Sequence, residues 1–403
     1  MNLKAPIALC GPALLSAIAC AQPSYDFSEV TALAQGALVG ENVNTPVPGF
    51  ELLLLKDGRT VYRQAFGTWF LGRIANADSA TKTLSGALIM SLTDSSPRPF
   101  SLDTRLSDYI PEFDGQMQDI TIRQCFSHTA GFDRSGSKGD RTATLYEAAL
   151  DIANDTLSYA PGSTFSYGGV SMHAAGAVAE IAGRVGTSTW NDLFLARIAG
   201  PLNMVRTRYV LTTPTNPRIA GGCESNAVEF SRFMEMLRLG GVYNGTRILS
   251  ENAVATMFTR QVPLGIPIAN TPLGESSDYG VGVWLDQRDE QGELIGAIAA
   301  GARGFSSWID FDDGMVGALS TDLSASGNVQ ALLYLLRDAA QTAIRNPLPC
   351  LADFNNDNSA NSQDFFDFLV AFFAGDPAAD FNQDAAINSQ DFFDFLAEFF
   401  AGC

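Results

Sequence analysis

Ser79 and Lys82 stand three residues apart, in Ser79-Ala-Thr-Lys82, ahead of the apolar run Leu84, Ala87, Leu88, Met90 and Leu92. On a helix this spacing puts a hydroxyl and an amine on one face, one turn apart. An amine beside a hydroxyl in a desolvated cleft can take its proton and turn the oxygen into a nucleophile, which is the chemistry of acyl transfer. Asp78 precedes the pair as a candidate N-cap. Ser135-Gly-Ser-Lys138 repeats the spacing, so two letters alone do not choose between the sites. Lysine is scarce: Lys4, Lys56, Lys82 and Lys138 are the only four in 403 residues, so a lysine at this offset tells more than usual.

The elements that must position such a pair can be read from pattern. Phe50–Leu55 and Thr60–Ala65 flank Lys56-Asp57-Gly58-Arg59, a hairpin signal. Helical periods follow the Ser79 segment at Leu145–Ala153, Val170–Gly183, Trp190–Ile198, Val228–Leu239 and Glu251–Phe258. Strand patterns return at Tyr279–Leu285, Ile295–Ala300, Ser306–Phe311 and Met315–Ser320, before a last helix over about 328–345. Strands at both ends with helices between predict an α+β body, one sheet split by a helical insertion in a three-layer arrangement.

Composition sets limits. With 46% hydrophobic and 17% charged residues the chain is globular, and a net charge of −19 argues against a nucleic-acid-binding face or an anionic membrane surface. Lys4, the apolar stretch Ala5–Ala19 and the small-residue site Ala19-Cys20-Ala21 read as a signal peptide over residues 1–21, so export to a periplasmic, cell-surface or extracellular location is expected. No later run is long enough to span a membrane. Four cysteines follow it: Cys350 and Cys403 bracket the C-terminal segment and are expected to pair, while pairing of Cys125 with Cys223 stays open.

That segment, residues 350–403, contains a repeat. Ala352–Gly375 aligns with Ala379–Gly402 at an offset of 27, with 18 of 24 positions identical, so one unit is used twice. Copy one carries Asp353, Asn355, Asp357, Asn361 and Asp364 at loop positions 1, 3, 5, 9 and 12; copy two carries Asp380, Asn382, Asp384, Asn388 and Asp391. Hard oxygen donors at these offsets are those that wrap Ca2+. Position 6, where such loops use glycine, is Asn358 and Ala385. An apolar helix follows each loop, and the phenylalanines of the first, Phe365, Phe368 and Phe372, are expected to pack the two helices together. The segment holds ten acidic residues and no Lys or Arg, so Ca2+ would relieve repulsion and couple to folding. This all-α module resembles a dockerin, which implies a cohesin-like or cell-surface anchor as partner.

The body, residues 22–349, resembles the serine β-lactamase family of the class C type, with its related esterases, D-alanyl peptidases and penicillin-binding proteins. Ser79-Ala-Thr-Lys82 matches the nucleophile motif, and Ser101-Leu-Asp-Thr-Arg-Leu-Ser-Asp-Tyr-Ile-Pro111 the segment after it. Ile120–Gly131 contains a Ser-His-Thr-Ala-Gly stretch, and Pro161-Gly-Ser-Thr-Phe-Ser-Tyr167 approaches the second motif, Tyr-x-Asn. Pro217-Arg-Ile-Ala-Gly-Gly222 and Arg247-Ile-Leu-Ser250 follow in family order. The order favours Ser79 over Ser135, which lies in a Gly- and Asp-rich loop without an apolar helix behind it.

The resemblance implies a β-lactamase/transpeptidase-like fold, an antiparallel sheet flanked by helices, and a two-step mechanism without a cofactor. Ser79 would form an acyl-enzyme, Lys82 and Tyr167 would move protons, and the N–H groups of Ser79 and Ala302, beside Gly301, would hold the oxyanion. Two departures bear on substrate. The Asn of Tyr-x-Asn is Gly169, and the Lys-Thr-Gly strand motif is Ala299-Ala300-Gly301. The cation that would grip a substrate carboxylate is missing there; Arg303 could replace it but is read first as a solvated arginine, and His128 and His173 are read as structural. The remaining site suits an ester or small amide. A genuine β-lactamase or D-amino-acid peptidase is the first alternative, and a catalytically impaired binding scaffold the second.

Overall fold

The structure, a computed structural model, describes residues 24–133, 142–323, 329–357 and 359–401. The signal-peptide reading, the rival Ser135–Lys138 pair, Asn358 and Cys403 lie outside the described residues. The chain divides into two compact units, one of them Phe27–Ile344, the other taking the rest.

The larger unit is built on six antiparallel strands: β1 (Gly49–Lys56), β2 (Arg59–Gly67), β3 (Trp284–Arg288), β4 (Leu294–Ala300), β5 (Ser306–Asp310) and β6 (Met315–Ser320). Their spatial order is β3-β4-β5-β6-β1-β2, so the first hairpin completes a sheet whose other four strands arrive more than two hundred residues later. The hairpin closes through Asp57 and Gly58, both left-handed (φ 48° and 78°), the two-residue turn whose twist matches its strands. The expected strand at Tyr279 is shorter: Tyr279 makes a single bridge to Trp284, where β3 begins.

The helices are α1 (Ser28–Leu38), α2 (Thr81–Asp94), α3 (Val170–Gly183), α4 (Ala227–Arg238) and α5 (Val329–Arg345), with shorter ones at Ile122–Phe126, Leu145–Ala153, Trp190–Phe194 and Glu251–Met257. Strand β1 is buried along nearly its whole length, and α4 packs on β1, β5 and β6. Helix α5 is tied to the sheet by Arg337 with Asp286 and by Gln341 Nε2, which donates to Asp310 at 2.6 Å. The α+β expectation, a sheet flanked by helices with a helical insertion, agrees with this architecture.

Helix α2 is buried from Thr81 to Leu92, on every face. Its polar residues therefore need partners. The Thr83 hydroxyl donates to Gly282 O at 2.8 Å and the Ser85 hydroxyl to Ile219 O at 2.6 Å, while Thr81 Oγ1 accepts the Cys223 N–H at 3.1 Å. These bonds fix the depth and rotation of α2, and with it the residues at its N-terminus. Cys125 and Cys223 are both buried and unpaired, which settles the open pairing; burial pushes both thiols well above their ordinary range.

The smaller unit contains α6 (Ser362–Ala374) and α7 (Ser389–Ala401). Asn361 caps α6, with its side chain accepting from Gln363 N, and Gly375 ends it in the left-handed conformation. Phe368 and Phe395, equivalent residues of the two copies, stack at 4.1 Å and 6°, and both are fully buried. The phenylalanines thus join the two helices as expected. Cys350 is disulfide-bonded.

Candidate active site

Ser79 sits in a single 3-10 turn, Asp78–Ala80, that runs into α2. Lys82 is one turn on and buried. Its Nζ lies 3.0 Å from Ser79 Oγ and 2.8 Å from Ala220 O. Burial lowers the Lys82 amine to about 7, against a smaller opposing pull from Asp78. An amine of that affinity is largely neutral at pH 8. It can then donate one hydrogen to Ala220 O and keep its lone pair for the Ser79 hydroxyl.

Asp78 is not the N-cap expected from its position. Its φ is 45°, it makes no capping bond, and its carboxylate accepts the Nε (2.9 Å), Nη2 (3.1 Å) and backbone N–H (3.2 Å) of Arg303. Arg303 also pairs with Asp322 at 3.1 Å. The reading of Arg303 as a solvated side chain is corrected accordingly: two carboxylates hold it, and it ties the turn after β4 to the Ser79 turn.

Tyr167 enters from the short strand Phe165–Ser166, which pairs in parallel with Ile268–Asn270. Its N–H donates to Asn270 O at 3.0 Å, and its ring stacks on Trp284 at 5.3 Å and 24°. Lys82 Nζ lies 4.6 Å from the ring centroid. Burial pushes the phenol up to about 12, opposed by hydrogen bonding from Ser79 and Trp284. Gly301 follows β4 and donates to Phe305 O at 2.8 Å. A Cβ on Gly301 would come within 2.4 Å of Ala77 O, so only glycine lets this strand end approach the Ser79 turn. Ala302 comes next, and its N–H has no hydrogen-bond partner among the described residues.

Ser79, Lys82, Tyr167 and Ala302 line one cavity of about 270 Å³, with Asp78, Gly168, Gly169, Val170, His173, Arg218, Ala220 and Gly221. The expected Ser79, Lys82, Tyr167 and Ala302 therefore meet in one place. Gly169 leaves its part of the wall open: an added Cβ would touch only Ala220 Cβ, at 3.3 Å. His173 Nε2 bonds Asn216 Oδ1 at 2.9 Å, in keeping with a structural role. Sequence reasoning missed Ala220, Trp284 and Arg218. The Ala220-Gly221-Gly222 run was visible only as a match in order, without a role for its carbonyl.

The ten oxygen-donor residues of the smaller unit fall on two loops folded alike. Asp357 N–H donates to Asp353 Oδ1 (2.9 Å) and Asn355 Oδ1 (3.0 Å), and Asp384 N–H does the same with Asp380 and Asn382, both at 3.0 Å. Asp364 and Asp391 are fully buried; each accepts two backbone N–H groups, of Asn355 and Asn361 and of Asn382 and Asn388. Ala385, at position 6, adopts φ 69°, the left-handed conformation that glycine would take there without strain. The donors are of the kind a hard cation needs, yet among the described residues no three acidic, His or Cys side chains converge as a metal-holding group.

Among solved structures the fold is similar to a provisionally named beta-lactamase from Bacteroides dorei DSM 17855, with TM-score 0.70 and 23% identity over 80% of this chain and 100% of that one. It is similar also to EstCE1, a hydrolase with promiscuous acyltransferase activity (TM-score 0.63, 19% identity, 77% and 97% covered). A family VIII carboxylesterase is a third (TM-score 0.62, 18% identity, 79% and 97% covered). These identities speak for the fold. No curated protein matches the chain. Residues 36–341 match the Beta-lactamase family model, and the chain belongs to that family.

Proposed function

We propose that this chain is a serine acyl hydrolase acting through Ser79, with an ester or small amide as substrate. The observation that carries the reading is the Lys82 amine, 3.0 Å from Ser79 Oγ and lowered by burial to about 7, so that much of it is unprotonated and free to accept a proton near neutral pH. Lys82 takes the Ser79 proton as Oγ bonds the carbonyl carbon. The oxyanion faces the N–H groups of Ser79 and Ala302. Tyr167 gives its proton to the leaving group as the scissile bond breaks and regains one from Lys82; the same pair then takes a proton from water as it adds to the acyl carbon, and returns it to Oγ as the acyl–Oγ bond breaks, releasing the acid and restoring Ser79. The esterase preference rests on Gly169 and Ala299-Ala300-Gly301, which offer a substrate carboxylate neither an amide nor a cation. It gains support from the carboxylesterase among the similar folds. A fluorophosphonate probe followed by a panel of p-nitrophenyl esters and nitrocefin tests it. Labelling lost in Ser79→Ala with ester turnover is expected; fast nitrocefin turnover without ester hydrolysis overturns the preference, and no labelling at all favours a binding scaffold.

A second reading, a carboxylate-bearing substrate such as a β-lactam or a D-amino-acid peptide, is favoured by Arg218, which is among the residues lining the same cavity. A guanidinium has five donors and can grip a carboxylate with two of them. Loss of turnover confined to anionic substrates in Arg218→Ala would select it.

For residues 350–403 we propose a dockerin-like, Ca2+-assisted module that anchors an exported enzyme to a cohesin-like or cell-surface receptor. The oxygen-only donors and the duplicated loop support it. A calorimetric scan of the full chain with and without Ca2+ tests it: a transition that does not move with Ca2+ overturns the metal.

A further inference from the structure

His128 grips three consecutive residues of the segment that carries Tyr167. Its carbonyl accepts the Ser166 N–H at 2.9 Å, and its ring packs against the Tyr167 ring at 4.5 Å. Its Nδ1 accepts the Gly168 N–H at 3.4 Å. The imidazole also packs against Tyr279, at 4.9 Å, and Phe165, at 5.9 Å and nearly perpendicular. The residue is 2% exposed, its backbone is left-handed (φ 59°), and Nε2 has no hydrogen-bond partner among the described residues. A left-handed backbone at a non-glycine residue costs free energy, so the surrounding contacts must hold it there. Those contacts converge on the one segment whose side chain faces Ser79 and Lys82.

We infer that His128 is the positioning residue that holds Tyr167 over the Lys82 amine. The inference rests on the reading of Lys82 and Tyr167 as proton carriers. Nδ1 can accept the Gly168 N–H only when it carries no proton, so the ring must be the neutral tautomer protonated at Nε2. Burial, with the Lys82 charge as a smaller cause, keeps His128 well below the ordinary histidine range. The ring therefore stays neutral through the working pH range and does not compete with Lys82 for a proton. The titratable groups around Lys82 are Asp78, Tyr167 and His128, and those around Tyr167 are Lys82, His128 and Tyr279; the Ser79 hydroxyl is a hydrogen-bond partner of both.

Tyr167 also shields Lys82 from water, and burial is the main reason that amine is neutral. Loosening Tyr167 should therefore raise the proton affinity of Lys82, an effect that general destabilisation does not have. Two full-length variants test this. His128→Gly keeps the left-handed backbone and removes the ring. His128→Asn keeps the backbone, since Asn tolerates this region, and keeps an oxygen that can accept the Gly168 N–H. For p-nitrophenyl acetate, His128→Gly should lower kcat roughly 10- to 100-fold with KM within about twofold, and should move the acid limb of kcat/KM up by about one pH unit. His128→Asn should recover part of kcat and of the limb position. The limb does not depend on how much enzyme is folded, so it stays readable in a weakly folding variant. Wild-type kcat and limb in His128→Gly, or a loss that follows folded fraction with the limb unmoved, overturns the positioning role. Ser79→Ala with full activity would instead overturn the acyl-enzyme reading itself.

Discussion

The Ser79 site and the C-terminal loops hold their polar side chains in opposite ways. At Ser79 each group is positioned by a distant part of the chain: Lys82 by the carbonyl of Ala220, Tyr167 by Asn270 and Trp284, and Asp78 by Arg303. In the loops the carboxylates of Asp353, Asp364, Asp380, Asp384 and Asp391 accept backbone N–H groups of their own loop, as Asp364 does from Asn355 and Asn361. The first arrangement can desolvate an amine and shift its proton affinity. The second neutralises charge locally and closes a loop, with no side chain pressed into a reactive state.

If that contrast is right, the two regions should fail independently. The largest effect is expected from Ser79→Ala: hydrolysis should fall by at least about 10³-fold while the melting curve keeps its position. Next, Phe368→Ala removes half of the stack at the centre of the small unit and should cost it about 3 kcal/mol or more. Hydrogen exchange across residues 359–401 should report the loss while ester turnover stays at the wild-type level. A fall in kcat would break the contrast.

The pH dependence comes third. Lys82 must be neutral to accept a proton, so kcat/KM should fall about tenfold per unit below pH 7, roughly 100-fold by pH 5, and level off above about 8. A flat profile between pH 5 and 8 would remove Lys82 from the base role. The smallest effect belongs to Asp78→Asn. The negative charge of Asp78 raises the Lys82 proton affinity, so its removal should shift the acid limb downward by less than about one unit. An upward shift would mean that losing the Arg303 tie opens the site to water and outweighs the charge.

What the sequence made legible was local. Ser79 and Lys82 could be paired because one helical turn fixes their separation. The helices Leu145–Ala153 and Val170–Gly183 lie where periodicity put them, and Thr144 caps the first through Glu147 N. Helix α1, Ser28–Leu38, went unread, because three of its four buried residues, Ala34, Gly36 and Ala37, are small and only Val30 is larger. Asp78 shows how a local rule is overridden. Asp before a helix is a sound capping signal, but Arg303, 225 residues away, takes its carboxylate. Ala220 O and the Trp284 ring left no pattern, since a backbone carbonyl has no letter and a core tryptophan looks the same whether or not it backs a catalytic phenol.

The buried amine of Lys82 also enters the heat of unfolding. In the unfolded chain this lysine returns to its ordinary affinity near 10.5, while in the folded chain it is about 7. Between those values the unfolded chain binds the extra proton, so stability attributable to this group rises with pH across that window and is lowest below it. At pH 8.5 each molecule that unfolds takes up close to one proton from the buffer on account of Lys82. The measured unfolding enthalpy should then grow with the ionisation heat of the buffer, and in Lys82→Met that share of the slope should vanish. A calorimeter thus counts the proton that the native site keeps off Lys82, without any substrate being present.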